Sequence, residues 1–153
     1  MATLERGIDR PGPGAPASGP GARCALIALD RSDLPEAVVP SFLAQTHGSV
    51  DDLVLLEILP DWSRGEFEAV MRARLLRVAS APASSDVHVA VDVRRGEPVA
   101  LIVDAARRHG ADLIAMVEHP RGLADRLLLG PSVLESVARE SGLPVLLLRG
   151  AGA

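Results

Sequence analysis

The sequence predicts an α/β protein in which a parallel sheet lies between two layers of helices. Five short apolar runs are bounded by turn residues, and four segments with apolar residues at helical spacing separate them. The connections between these segments are short. Such alternation is typical of a parallel sheet with helices on both faces, a three-layer α/β/α sandwich. A chain of 153 residues is long enough for one such domain with a sizeable core.

The strand predictions rest on continuous apolar runs, which suit strands that are covered on both faces. In chain order the runs are 24–29, 53–59, 87–93, 112–117 and Val145–Leu148. The third run alternates only partly in polarity, but it is rich in the β-branched residues that favour strands. Together these runs predict a sheet of five strands.

The first helix is predicted to follow Ser32 or Asp33, because either side chain can cap a helix and Pro35 suits the first turn. Pro40 lies inside this helix and is expected to kink it. One side of the helix is expected to carry Leu34, Val38, Phe42 and Leu43.

The second helix has apolar residues at helical spacing, which we interpret as core packing. They are Phe67, Val70, Met71, Leu75 and Val78. The third helix is predicted to start at Pro98 and to end at Gly110. The fourth is predicted to start at Pro131 and to end at Gly142.

Composition excludes several kinds of chemistry. All 16 basic residues are arginine, so the lysine that a P-loop, a Schiff-base enzyme or a protein kinase requires is absent. A single cysteine, Cys24, excludes an internal disulfide framework and a cysteine-rich zinc site. The four histidines are scattered, and no pair has zinc-ligand spacing. We therefore expect no metal site.

Composition also bounds the partners and the compartment. A net charge of −4 and an aromatic content of 2% argue against nucleic-acid binding and against a base-stacking platform. No apolar run is long enough to span a membrane, and no secretory signal is visible, so we expect a cytoplasmic protein. Gly and Pro supply nine of the first 22 residues. We expect a flexible tail over 1–22, a domain over 23–150 and a disordered end over 151–153.

Two stretches carry a family resemblance. Residues 110–149 read GADLIAMVEHPRGLADRLLLGPSVLESVARESGLPVLLLR, and residues 25–40 read ALIALDRSDLPEAVVP. Both resemble the universal stress protein family. The resemblance implies an adenine-nucleotide α-hydrolase-like, Rossmann-like fold with strand order 3-2-1-4-5. It also implies a homodimer that forms through the last strand, Val145, Leu146, Leu147 and Leu148. That strand contains no charge or proline to protect an exposed edge.

One branch of this family binds ATP through the pattern G-x2-G-x9-G-[ST] after the fourth strand. The spacing maps onto positions 117, 120, 130 and 131, and Gly130 is kept. The other positions hold Val117, Pro120 and Pro131. A branched side chain and two prolines cannot supply the close backbone approach and the N–H donors that phosphates require. Ser132 could be the displaced serine. The phosphate end of the family site is therefore expected to be damaged.

The nucleoside end is better kept. Ligands of such sheets bind beyond the carboxyl ends of the strands. The candidate ligand-binding residues, taken from the resemblance, are Asp30, Ser32, Ile58, Met116, Val117, Arg121, Gly130 and Ser132. For Asp30 and Ser32 helix capping is an equal alternative, and for Gly130 and Ser132 a helix start. For Arg121 the alternative is a solvated loop. No cofactor is implied with certainty, and ATP or AMP stays open.

These observations lead to three functional hypotheses. The first is a non-enzymatic regulatory homodimer that acts in stress response through an unidentified protein partner and does not hold ATP in the usual way. The second is a stress sensor that binds ATP or AMP through the loop 117–132. The third is a slow phosphohydrolase that uses Glu118 or His119. No catalytic residue is predicted for the first two.

Overall fold

The computed structural model describes residues 24–81, 84, 86–118, 129 and 131–149. In this part of the chain, strands and helices alternate as predicted. They are β1 (Cys24–Asp30), α1 (Pro35–Thr46), β2 (Asp52–Leu59), α2 (Gly65–Ala79), β3 (His88–Arg95), α3 (Pro98–His109), β4 (Leu113–Val117), α4 (Pro131–Ser141) and β5 (Val145–Leu148). The predicted flexible ends lie outside the described residues.

The five strands form one parallel sheet of order β3-β2-β1-β4-β5. This confirms the predicted fold class and the strand order that the resemblance implied. Asp30 of β1 pairs with Ile58 of β2, and Ala28 of β1 pairs with Met116 of β4. Because the strands run in one direction, their carboxyl ends meet at one edge of the sheet, where the connecting loops converge.

The sheet buries both faces. On one face, residues such as Ile27 and Leu55 pack against α1 and α2, which contribute Phe42 and Leu75. On the other face, Leu26, Leu56 and Ile58 are among the residues that pack against α3 and α4. Alternate side chains of a strand therefore enter different cores, which explains why the strand sequences are apolar without a break.

The start of α1 differs from the prediction. Its N-cap is Leu34, which makes no side-chain capping hydrogen bond, while Pro35 occupies the first turn as expected. Neither Ser32 nor Asp33 caps the helix, because the Asp33 carboxylate accepts instead from the backbone N–H of Asp30, at 2.9 Å. The helix continues through Pro40.

Part of the expected core is exposed. Met71, Leu75 and Val78 of α2 are buried as predicted. Phe67 and Val70, however, are 37% and 61% exposed, and Leu34 before α1 is 43% exposed. Val70 lies about 100° around the helix from Met71 and so points away from the sheet. Phe67 belongs to the first turn of α2, which starts at Gly65.

The ends of α3 follow the prediction. Pro98 lies in the first turn, and the Glu97 side chain accepts from the N–H groups of Val99 and Ala100. Gly110 ends the helix with φ 66°, a left-handed conformation that glycine adopts without strain. In the part of the chain that the structure describes, no helix has the length and apolar character needed to cross a membrane.

Candidate functional site

The carboxyl edge of the sheet brings three of the predicted site residues together. Asp30 ends β1, while Ile58 and Met116 are the penultimate residues of β2 and β4. Their exposed fractions are 1%, 0% and 2%. Because residues that pair across a sheet share a face, Asp30 points to the same side as Ile58 and Met116. The result is one buried carboxylate beside an apolar wall.

The carboxylate of Asp30 accepts hydrogen bonds from two segments of the chain. One oxygen accepts from the backbone N–H of Ser32, at 2.8 Å, and from the Ser32 hydroxyl. The other accepts from the N–H of Leu129, at 3.4 Å, although Leu129 is 99 residues away in sequence. Asp30 therefore ties the β1–α1 turn to the segment before α4. It is not a helix cap, so that alternative is wrong for both Asp30 and Ser32.

Two further acids lie close by and were not singled out by the sequence analysis. Burial raises the pKa of Asp33 to about 7, although its hydrogen bond from Asp30 opposes the shift. Burial, together with the charges of Asp33 and Asp30, raises the pKa of Glu57 to about 8. The signal for Glu57 was visible, since it is the one charge within the apolar run 53–59.

The end of β4 is occupied by core packing where the ATP-binding pattern has its first glycine. Val117 is 6% exposed and belongs to the same core cluster as Leu148, its partner in β5. The next residue, Glu118, donates its N–H to the Leu148 carbonyl and forms an ion pair with Arg149 at 2.9 Å. A branched side chain and a carboxylate thus stand at the start of the loop.

Of the remaining predicted site residues, one lies in the described part of the chain. Ser132 is exposed in the first turn of α4. Arg121 and Gly130 lie outside the described residues, as do His119 and Pro120. In the described ranges, from 24 to 149 with their gaps, no group of three or more His, Cys, Asp or Glu side chains could hold a metal ion.

A cation–π pair at the same edge has no counterpart in the sequence predictions. The Arg31 guanidinium carbon lies 4.8 Å from the centre of the Trp62 ring. Arg31 follows Asp30 directly, and Trp62 comes four residues after Ile58. Trp62 is 69% exposed, the largest value among the exposed large apolar side chains of the described residues.

The two edges of the sheet differ in charge. The β3 edge carries His88, Asp92, Arg94 and Arg95, and charged side chains of this kind hinder pairing with another strand. The β5 edge contains only valine and leucine, and Leu147 is 37% exposed. In the described structure, β5 is therefore the edge whose side chains suit contact with another chain.

Comparison with known proteins identifies the fold and the family. A model of the universal stress protein family matches residues 23–149. No curated protein matches the chain in sequence. Among solved structures, the hypothetical protein MJ0577 superimposes with a TM-score of 0.66 at 21% identity, covering 83% of this chain and 95% of that one.

Two further solved structures are similar and hold adenine nucleotides. A universal stress protein in complex with cAMP has a TM-score of 0.59 at 19% identity and covers 85% of this chain and 98% of its own. The universal stress protein from Archaeoglobus fulgidus in complex with dAMP has a TM-score of 0.55 at 19% identity, with coverages of 82% and 97%. At these identities the likeness shows a shared fold.

Proposed function

Because the chain belongs to the universal stress protein family, we propose that it is a regulatory protein of stress response that works by binding rather than by turnover. It acts as a homodimer on a protein partner, and it does not hold ATP in the family's usual manner. The observation that carries this proposal is Val117. Its side chain is packed in the core at the start of the loop where the ATP-binding branch has a glycine.

The nucleoside end of the site supports a smaller ligand. Asp30 would accept an N–H or O–H group of a nucleoside, and Ile58 and Met116 would form an apolar wall for the base. All three are covered in the described structure, so we propose that the ligand displaces the N–H of Leu129 from Asp30 when it binds. Two of the structures with the same fold are complexes with cAMP and with dAMP, and each of these nucleotides has one phosphate. A monophosphate avoids most of the damaged phosphate end, so AMP is the adenine nucleotide that we propose for this site.

Isothermal titration of the full chain with AMP and with ATP, both with magnesium, tests this proposal. We expect AMP to bind and ATP to bind at least tenfold more weakly, because extra phosphates would approach Glu118 and would lack glycine N–H donors. ATP binding as tight as AMP binding would contradict the proposal and would favour a sensor whose loop 117–132 rearranges around the triphosphate.

The proposed homodimer rests on β5. An edge strand of four apolar residues offers unpaired backbone groups and the exposed side chain of Leu147. A second copy of the chain could pair with this edge or pack against it, which would cover Leu147. The opposite edge, with its charged residues, is unsuited to the same contact.

The geometry does not favour the phosphohydrolase hypothesis. Glu118, one of its two candidate residues, is engaged in the ion pair with Arg149. His119, the other, lies outside the described residues.

A further inference from the structure

We infer that Trp62 and Arg31 form the base-binding edge of this site, where the indole stacks on the purine ring of a mononucleotide. This inference rests on the proposed function, since it assumes that the site takes a small adenine nucleotide. It adds a residue pair that neither the family pattern nor the sequence assigns, and it replaces the expectation from the low aromatic content that no side chain stacks on a base. Its starting observation is the contact of 4.8 Å between the Arg31 guanidinium and the Trp62 ring.

Two short turns present this pair beside Asp30. The N–H of Asp33 donates to the carbonyl of Asp30 at 3.0 Å, which closes a turn that contains Arg31. The N–H of Ser63 donates to the carbonyl of Pro60, also at 3.0 Å, which closes a turn that contains Trp62. The first turn follows β1 and the second follows β2, and Asp30 pairs with Ile58 where these strands end.

The turn that carries Trp62 is fixed to the sheet. Ser63 is 6% exposed, and its carbonyl accepts a hydrogen bond of 2.6 Å from the Arg95 side chain at the end of β3. Trp62 therefore belongs to an anchored turn although the residue is 69% exposed. Because the backbone of the turn is already held, less conformational freedom is lost when a ligand stacks on the side chain.

The chemistry of the pair suits a nucleotide. The guanidinium lies 4.8 Å from the centre of the indole, and Trp62 as a residue stays 69% exposed, which leaves surface for a planar base. Arg31 also places a positive charge next to the buried acids Asp30 and Asp33, where an anionic ligand would otherwise be repelled. The chain has no lysine, so arginine is the permanently charged side chain that could meet a phosphate.

Fluorescence tests the inference directly, because the chain has a single tryptophan. The full chain is titrated with AMP while Trp62 emission and, separately, binding heat are followed. We expect the emission to change with the same Kd as the heat. Adenosine should also change the emission, whereas ribose 5-phosphate, which lacks the base, should not.

Variants separate stacking from general surface effects. Trp62→Leu should weaken AMP binding about tenfold, and Trp62→Phe should recover most of the loss, because a smaller ring still stacks. Arg31→Lys should keep part of the affinity through its charge, and Arg31→Met should lose more. Phe67→Leu is the matched control, since Phe67 is an exposed aromatic residue on α2, and it should leave the affinity unchanged.

The outcomes distinguish this inference from the function on which it rests. AMP binding by heat, with unchanged Trp62 emission and unchanged affinity in Trp62→Leu, would overturn the inference and leave the proposed function standing. An equal loss of affinity in Phe67→Leu would also overturn it. Absence of any binding heat with the unaltered chain would overturn the proposed ligand itself.

Discussion

At the residue scale, Glu57 is an acid enclosed in the core near the carboxyl end of β2. Its side chain is fully buried, and neither carboxylate oxygen has a hydrogen-bond partner in the described structure. Glu57 pairs across the sheet with Leu29, so it faces the core of α1 and α2 and not the side of Asp30. A charge in such a place is costly, so the carboxyl group holds its proton to unusually high pH.

This predicts how stability depends on pH. Burial raises the pKa of Glu57 from 4.5 to about 8, so the folded state binds a proton that the unfolded state releases at lower pH. The stabilising contribution is complete below about pH 4.5 and is lost as the pH rises through 8. Burial also raises the pKa of Asp33, from 3.8 to about 7, so its contribution to stability likewise decreases as the pH rises through that range. The melting temperature should therefore fall between pH 5 and pH 8.5.

Glu57→Gln tests this account. The amide cannot ionise, so the variant should be more stable than the original chain at pH 8.5, by about 1–3 kcal/mol, and its melting temperature should fall less with pH. Urea unfolding at pH 5.5 and 8.5 measures the difference in stability, and thermal unfolding at the same two pH values measures the melting temperatures. Glu135→Gln, which changes an exposed glutamate of α4, is the control. A pH dependence as steep as in the original chain would contradict this role of Glu57.

At the element scale, one polar network fixes α3 to the sheet edge. Arg94 of β3 donates to Asp92 and, at 2.8 Å, to Asp104 of α3. His109 at the end of α3 lies 3.1 Å from the same Asp92 carboxylate. Burial alone would raise the pKa of Asp92, but the bonds with His109 and Arg94 outweigh it and lower the pKa to about 2. Arg94 pairs with Ile58 across the sheet, so the network adjoins the carboxyl edge, and it joins β3 to α3 there.

Asp92→Asn should therefore destabilise the protein by about 1–3 kcal/mol at neutral pH, because Arg94 and His109 lose their shared anionic partner. The contribution of Asp92 to stability changes with pH in the opposite direction to that of Glu57. The Asp92 contribution is present above its ordinary pKa of 3.8 and is lost as the pH falls through about 2. Denaturant unfolding at pH 7 and pH 3 measures both. Asp86→Asn, at an exposed position, should change neither.

The proposed dimer contact at the β5 edge can be tested with a charged substitution. Leu147→Lys should convert a dimer into a monomer, because a charge would be buried in the proposed contact between copies. Sedimentation of the purified chain measures the mass. Val70→Lys is matched to it, since Val70 is 61% exposed on α2, far from β5 in the fold, and should leave the mass unchanged. A monomeric original chain would refute the proposed dimer.

At the scale of the whole molecule, the sequence was sufficient for the fold but only partly for the site. Strand and helix order could be predicted because each strand is apolar throughout and each helix carries end signals such as Pro98 and Gly110. The exposure of Phe67 could not be predicted, because the spacing of apolar residues indicates which face of a helix is buried but not how much of that face the sheet covers.

The contacts within the site could not be predicted from the sequence, for a different reason. Asp30 was predictable from its place after an apolar run, but its bond to Leu129 joins residues 99 apart. Trp62 and Arg31 lie in two different turns, and their contact depends on how β1 and β2 pair. Contacts between residues remote in sequence cannot be predicted from local pattern, even where the fold is predicted correctly.

Ligand binding should stabilise the whole domain against heat. A ligand that binds only the folded state adds about 2.7 kcal/mol at a hundredfold excess over its Kd. For a domain of this size that corresponds to a rise of roughly 5–10 °C in melting temperature. AMP should give such a rise, and ATP at the same concentration should give a smaller one. Asp30→Asn should reduce the AMP effect, since the amide replaces one acceptor oxygen with a donor.

The order of the two nucleotides decides between the hypotheses for this edge of the sheet. If ATP raised the melting temperature as much as AMP, the loop after β4 would have to reorganise around Val117 and Glu118, and the core contact of Val117 with its cluster would be broken in the bound state. That reorganisation would cost core burial, which the extra phosphate contacts would have to offset. AMP needs less of this reorganisation, because it lacks the two further phosphates that would lie near Val117 and Glu118, while Asp30, Ile58 and Met116 already lie together in the folded chain.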